Sequence, residues 1–194
     1  MDLSLSNLMS MARYTVQAPR EGARLVMQAN VPTGARWAAL ALMAIGSALL
    51  AHVSFGLMPA ATQAQLAPSM QNPIGTAMVQ AAIMLAAVHM IHWIGRWAGG
   101  TGTFADALIL MVWLQFILLI LQAVQIVAQV ALPPLTDIVA IISIVIFMYL
   151  ISNFTAELHG FKSVTKTFFG VMATLFAIGF ILALLIMPMT GAGI

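Results

Sequence analysis

The sequence predicts an all-α integral membrane protein with five transmembrane helices, and three observations predict it. Of its 194 residues, 62% are hydrophobic and 6% charged, whereas an ordinary soluble domain has about a quarter of its residues charged. Several uncharged runs reach the ~20 apolar residues that a helix needs to cross a bilayer. Threading five such runs puts all seven Lys and Arg residues on one side of the membrane. Arg13, Arg20, Arg24 and Arg36 precede the first run, Arg96 follows the second, and Lys162 and Lys166 lie between the fourth and fifth. The positive-inside rule makes that side cytoplasmic, with the N-terminus inside and the C-terminus external. Four or six spans would scatter the charges.

Residues 1–36 read as amphipathic helices at the cytoplasmic interface, ahead of a five-span domain over 37–194. On a helical wheel Leu5, Leu8, Met9, Ala12 and Val16 gather within about 100°, apart from Ser6, Ser10, Arg13 and Gln17. Pro19 suits the first turn of a second short helix ending near Gln28, which carries Arg20 and Arg24 one turn apart. Such a pair of helices either anchors at the membrane surface or binds a partner, or else packs under the bundle itself. Pro32 and Gly34 end the region, and Arg36-Trp37 mark an interface.

The first span, about 37–57, offers Ala44, Gly46, Ser47, Ala48 and Ala51 for close helix approach. It starts too late, and is too long, for a cleaved leader. Residues 58–75 carry no charge and read as an external loop. The second span, about 75–96, ends at His92, Trp93, Arg96 and Trp97. Three glycines within Gly99-Gly100-Thr101-Gly102 then force a tight reversal, and Thr103 with Asp106 opens the next helix in the manner of a capping box. The third span covers 104–130 and closes at Pro133-Pro134. The fourth, about 135–154, begins with Asp137, a charge that suits a helix N-terminus. Glu157, His159, Lys162 and Lys166 make the polar turn after it. The fifth span, about 167–187, has Gly170, Ala173, Ala177 and Gly179 as packing positions, with Pro188 and Gly191 beyond.

Function is less legible than architecture. Gln115, Gln122, Gln125 and Gln129 fall within roughly 80° on the third span, a single amide stripe. An amide in hydrocarbon is costly unless hydrogen-bonded, so the stripe faces other helices or a wet path for a solute or lipid headgroup. Asn153 is a candidate partner for Gln115. His89 and His92 share a helix face at a spacing some metal sites use, but His52 sits in the other leaflet and completes no ligand set. The acids form no catalytic pair, since Asp106 lies inside, Asp137 outside, and Glu157 ~30 Å along its helix from Asp137. Neither a HExxH motif nor a nucleophile elbow occurs, and the glycine loop lacks the Lys-Ser/Thr of a phosphate-binding loop. With no cysteine, thiolate metal sites and disulfides are excluded. A net charge of +2 is too small for a nucleic-acid surface. Arg96, Asp106, Glu157 and His159 are expected to meet in a polar cluster on the cytoplasmic face, either docking a partner or capping helix ends.

Three stretches, taken in order, resemble the Yip family (Ypt/Rab-interacting membrane proteins) in its short bacterial form. They are Pro19-Arg20-Glu21-Gly22, then Gly99-Gly100-Thr101-Gly102-Thr103-Phe104, then His159-Gly160-Phe161-Lys162-Ser163. The resemblance covers roughly residues 15–187. It implies a non-enzymatic integral membrane protein without cofactor or metal, in a bacterial cytoplasmic (inner) membrane. Eukaryotic relatives are associated with Rab-type GTPases and vesicle traffic. The expected function is organisation of membrane or protein partners, through membrane lipids, a cytoplasmic protein or a second copy of the chain. The alternative is a small transporter or channel-like protein that uses the glutamine stripe.

Overall fold

The computed structural model describes residues 4–70 and 72–186, and among these every regular element is helical. Helices α1 (Leu5–Gln17) and α2 (Pro19–Gln28) precede α3 (Thr33–Gly56), α4 (Ala60–Leu66), α5 (Pro73–Trp97), α6 (Phe104–Ala131), α7 (Thr136–His159) and α8 (Val164–Ile186). Four of them, α3, α5, α6 and α7, are long and apolar enough to cross a membrane, and Val164–Phe180 of α8 forms a shorter apolar helix. The chain is therefore an integral membrane protein built as a helical bundle. Met187, the expected end of the last span, lies outside the described residues, as do Pro188 and Gly191.

Helix α6 is the axis, packing on α3, α5, α7 and α2, while α8 leans on α7. Its first half is closed in on all sides, with every residue from Ala107 to Gln115 buried. The last turns of α7, Leu150 to Ala156 with Leu158 and His159, are buried in the same way. The core thus sits at the end of the bundle that carries the basic residues.

Several boundaries differ from the sequence reading for identifiable reasons. The first long helix starts at Thr33, so Gly34 and Arg36 lie inside its first turn. The expected loop 58–75 contains α4 and a 3-10 turn over Ala67–Ser69. Gln63 Nε2 fastens α4 by donating to the carbonyls of Gly56 and Met58 at 3.2 and 2.8 Å. The Gly56 carbonyl is among those that the end of α3 leaves unpaired. Helix α7 runs on through Glu157 to His159, and Lys166 lies in the first turn of α8, so the expected polar turn is mostly helical.

The N-terminal helices pack under the bundle. Helix α2 lies on α7 and α6, and α1 lies on α2. The face that α1 buries is rotated from the expected one: Ala12 and Thr15 are buried, whereas Leu5 and Met9 are exposed. Two contacts set that rotation. Trp113 Nε1 of α6 donates to Thr15 Oγ1 at 3.1 Å, and Gly22 of α2 lies so close that an added Cβ would stand 2.6 Å from the same oxygen.

Candidate functional site

The densest chemistry lies where the ends of α5 and α7 meet. Both helices finish in the same way. At the end of α5, Gly100 N–H donates to Gly95 C=O at 2.8 Å and Gly99 N–H to Arg96 C=O at 3.0 Å. At the end of α7, Phe161 N–H donates to Ala156 C=O at 2.8 Å and Gly160 N–H to Glu157 C=O at 3.3 Å. This is the Schellman pattern, which turns the chain through a left-handed residue. Gly99 (φ 88°) and Gly160 (φ 70°) supply those residues, where a Cβ would be strained.

His159 fills the space between the two turns. Its Nε2 lies 3.0 Å from Ile91 C=O and its Nδ1 accepts the Gly102 N–H at 3.2 Å. A carbonyl can only accept, so Nε2 carries the proton and Nδ1 is bare. The glycine loop is moulded to this ring: a Cβ on Gly95 would lie 2.1 Å from Nε2, and one on Gly100 2.4 Å from the histidine Cβ. A Cβ on Gly102 would meet Leu158 Cγ at 2.5 Å. Phe161 stacks on the imidazole with centroids 5.5 Å apart. Gly95, Gly100 and Gly102 therefore form a close-fitting collar around the end of α7 and its buried imidazole.

Of the four residues of the expected polar cluster, Arg96 lies near enough to His159 to act on it by charge, whereas the two acids are taken by other partners. Glu157 takes Arg20 Nε on one carboxylate oxygen at 2.8 Å and Arg24 on the other at 2.7 Å. Arg20 also donates to Phe161 C=O at 3.3 Å. The Glu157 carboxylate, by hydrogen bond first and charge second, raises the pKa of Arg24 above its ordinary value. Asp106 faces Arg36 at 3.6 Å and accepts Thr103 Oγ1 at 2.6 Å, while its own N–H donates to that hydroxyl at 3.1 Å. Half of the expected capping box is thus made: Thr103 caps α6, and the Asp106 side chain takes the hydroxyl rather than the Thr103 N–H. Arg36 further donates to the carbonyls of Val31 and Ala105. Arg96 stays at the exposed end of α5 beside Trp97. The reason for the division is that α1 and α2 fold under the bundle and bring their own arginines to the acid.

The stretch Pro19-Arg20-Glu21-Gly22 can now be read residue by residue. Pro19 opens α2, Arg20 holds Glu157, Glu21 accepts the Tyr14 hydroxyl, and Gly22 admits Thr15. The hydrogen bond from Tyr14 to Glu21, with some loss of hydration and the charge of Glu21, raises the pKa of Tyr14. Phe104 has its own task, since its ring lies 4.9 Å from His89, 6.0 Å from His92 and 6.3 Å from Trp37, joining α3, α5 and α6.

The glutamine stripe divides too. Gln122 Oε1 accepts Ser47 Oγ at 3.3 Å while its Nε2 donates to Ser47 C=O at 3.4 Å. One heptad on, Gln129 repeats both bonds with Ser54 at 2.9 and 3.3 Å. Gln115 is buried near the basic end and Gln125 is half-buried. Asn153 donates to Tyr149 C=O in its own helix rather than pairing with Gln115.

Sequence reasoning missed Thr15, Gly95 and Trp113. A tryptophan deep inside a span, away from the interfacial belt, was the available signal, because its N–H needs a partner there. A glycine one turn before the loop was the other.

No curated protein and no solved structure matches the chain. The family model of the Yip1 domain matches residues 13–186. The match runs from α1 to the end of α8, through all three stretches whose contacts are described above, and the chain belongs to the Yip family.

Proposed function

We propose that this chain is a non-enzymatic scaffold of a bacterial inner membrane. In this reading it has five spans, the N-terminus inside and the C-terminus external, and it organises protein or membrane partners at the cytoplasmic face. One observation carries the reading. The helices α1 and α2 are clamped to the bundle through Glu157 and Trp113, yet present Leu5, Met9 and Leu25 outward, each at least 44% exposed. A rigid layer with an apolar outer surface suits docking. The acids beneath it support a structural role, because Glu21, Asp106 and Glu157 are each engaged by a neighbouring side chain.

A photocrosslinking residue placed in turn at Leu5, Met9 and Leu25 tests this in native membranes. The scaffold reading expects the same discrete protein or second copy at these positions, lost on adding Leu25→Glu, and nothing comparable from Phe176. Absence of any such adduct overturns it. Flux into proteoliposomes that Gln122→Leu with Gln125→Leu abolishes would establish the transporter instead. Threading is tested separately by single cysteines introduced near each terminus, a clean experiment because the chain has none. Labelling of both ends from one side would break the five-span arrangement.

A further inference from the structure

Helices α5 and α8 flank α7 without packing closely on each other. Between them lies a cavity of about 450 Å³, within the roughly 300–1,000 Å³ of small-molecule sites. Its walls run from Ala87 to Ala98 on α5 and from Lys166 to Ile178 on α8. At 1.5 Å per residue these are ~16 and ~18 Å long, close to the ~15 Å of one leaflet's hydrocarbon. The lining is almost wholly apolar except at one end, where Lys162, Ser163 and Lys166 stand at its mouth.

That end is cationic and uncompensated. Among the described residues neither lysine pairs with an acid, and the Glu157 carboxylate is taken up by Arg20 and Arg24. The mouth is also the N-terminus of the long helix α8, where Ser163 Oγ takes the Lys166 N–H at 3.2 Å and the positive dipole end still favours a phosphate. A further, independent feature lies inside. Thr155 is 7% exposed and lines the cavity, and its Oγ1 has no hydrogen-bond partner. A buried hydroxyl is normally satisfied; this one is closed off from the groove space, and a turn of the Thr155 side chain would bring it to an ester oxygen just below a phosphate.

We propose that the groove seats one anionic glycerophospholipid. An acyl chain lies between α5 and α8, an ester oxygen meets Thr155, and the phosphate rests on Lys162, Lys166 and the first turn of α8. The inference rests on the proposed orientation only for naming the leaflet as the cytoplasmic one, where anionic headgroups attract basic residues.

Native mass spectrometry of the full chain, exchanged into detergent and given phosphatidylglycerol or phosphatidylcholine of the same acyl chains, tests this. One phosphatidylglycerol should be retained per chain, with roughly 25-fold preference, about fivefold for each lysine. Lys162→Gln with Lys166→Gln should bring that ratio near one while leaving phosphatidylcholine binding unchanged. Thr174→Phe, which fills the groove, should remove both lipids. Because that variant could fail to fold, the unaltered chain is also labelled with phosphatidylglycerol carrying a diazirine on its acyl chain. Adducts confined to the groove-lining positions Met90, Ile91, Ile94, Val171, Thr174 and Leu175 support the seat. Equal binding of the two lipids, adducts spread equally over Phe176 and the outer face of α7, or a cross-link joining two copies through the groove would each overturn it.

Discussion

The two halves of α6 differ more than their composition suggests. From Ala107 to Gln115 the helix is buried on every side, whereas in its last turns Val127 is 65% exposed and Val130 64%. Both halves are strongly apolar. What differs is the company. The first half is enclosed by the N-terminal helices, α5 and the end of α7, and the second meets α3 through paired serine and glutamine side chains. In lipid, apolar surface alone does not draw helices together, because acyl chains solvate it equally well. Close fit and polar contacts decide which half becomes core. One half has both in quantity, and the other has a few hydrogen bonds.

The same substitution should therefore have unequal effects at the two places. Gly95→Ala puts a methyl 2.1 Å from His159 Nε2, on a ring held by two hydrogen bonds and a stacked phenylalanine. We expect a loss of about 3 kcal/mol, the upper end for overpacking, read as a fall in the detergent melting temperature. Gly46→Ala meets only Leu119 Cδ1 at 2.9 Å, the far end of a flexible side chain, and should cost under about 1 kcal/mol. The His159→Ala background sharpens the contrast, since Gly95→Ala should cost far less once the ring is gone. Equal losses at both glycines would mean that the collar is not the tight end. Additivity in the Gly95 and His159 cycle would mean that the two residues do not touch.

Next in size is the clamp on the N-terminal helices. Glu157→Gln removes the charge that Arg20 and Arg24 share, and its side chain is only 10% exposed. Charge-assisted hydrogen bonds to a sheltered acid are worth about 1.5–3 kcal/mol, and the exposure of both arginines places the expected loss near the bottom of that range. The readout is local. Limited proteolysis should cut between α1 and α3 well before the bundle melts, while Asp137→Asn at the other end leaves cleavage unchanged. Protection that survives in Glu157→Gln would show that Trp113 and Thr15 hold the layer without the ion pairs.

These contrasts also explain what could be read in advance. Long apolar runs announced the membrane helices to within a few residues, because bilayer thickness fixes their length. Helix ends were harder. Glu157 and His159 look like turn residues by polarity, yet α7 continues through them because their partners lie inside the fold. The clamp joins positions 137 and 133 residues apart, and no local spacing announces such a pairing. The expected cluster of Arg96, Asp106, Glu157 and His159 takes no account of Arg20 and Arg24, because the sequence leaves the place of α1 and α2 open. The glycines, in contrast, were visible as a turn. Their second duty, admitting an imidazole, depends on a residue from another helix, so no motif carries it.

The smallest effect belongs to the glutamine pairs. Gln122→Leu removes two bonds to Ser47, at 3.3 and 3.4 Å, long enough to be weak. Interhelical side-chain bonds in membrane proteins average about 0.6 kcal/mol, and leucine supplies apolar contact in their place. Stability should change by no more than about 1 kcal/mol, with Gln129→Leu the costlier of the two, because its Ser54 bond is shorter at 2.9 Å. A double cycle with Ser47→Ala separates the bond from the lost volume. A loss several times larger would give the outer half a stitched core of its own and erase the distinction between the two ends. Little change in stability would instead agree with a seam that sets the register of α3 against α6, since the two pairs recur at the same heptad step.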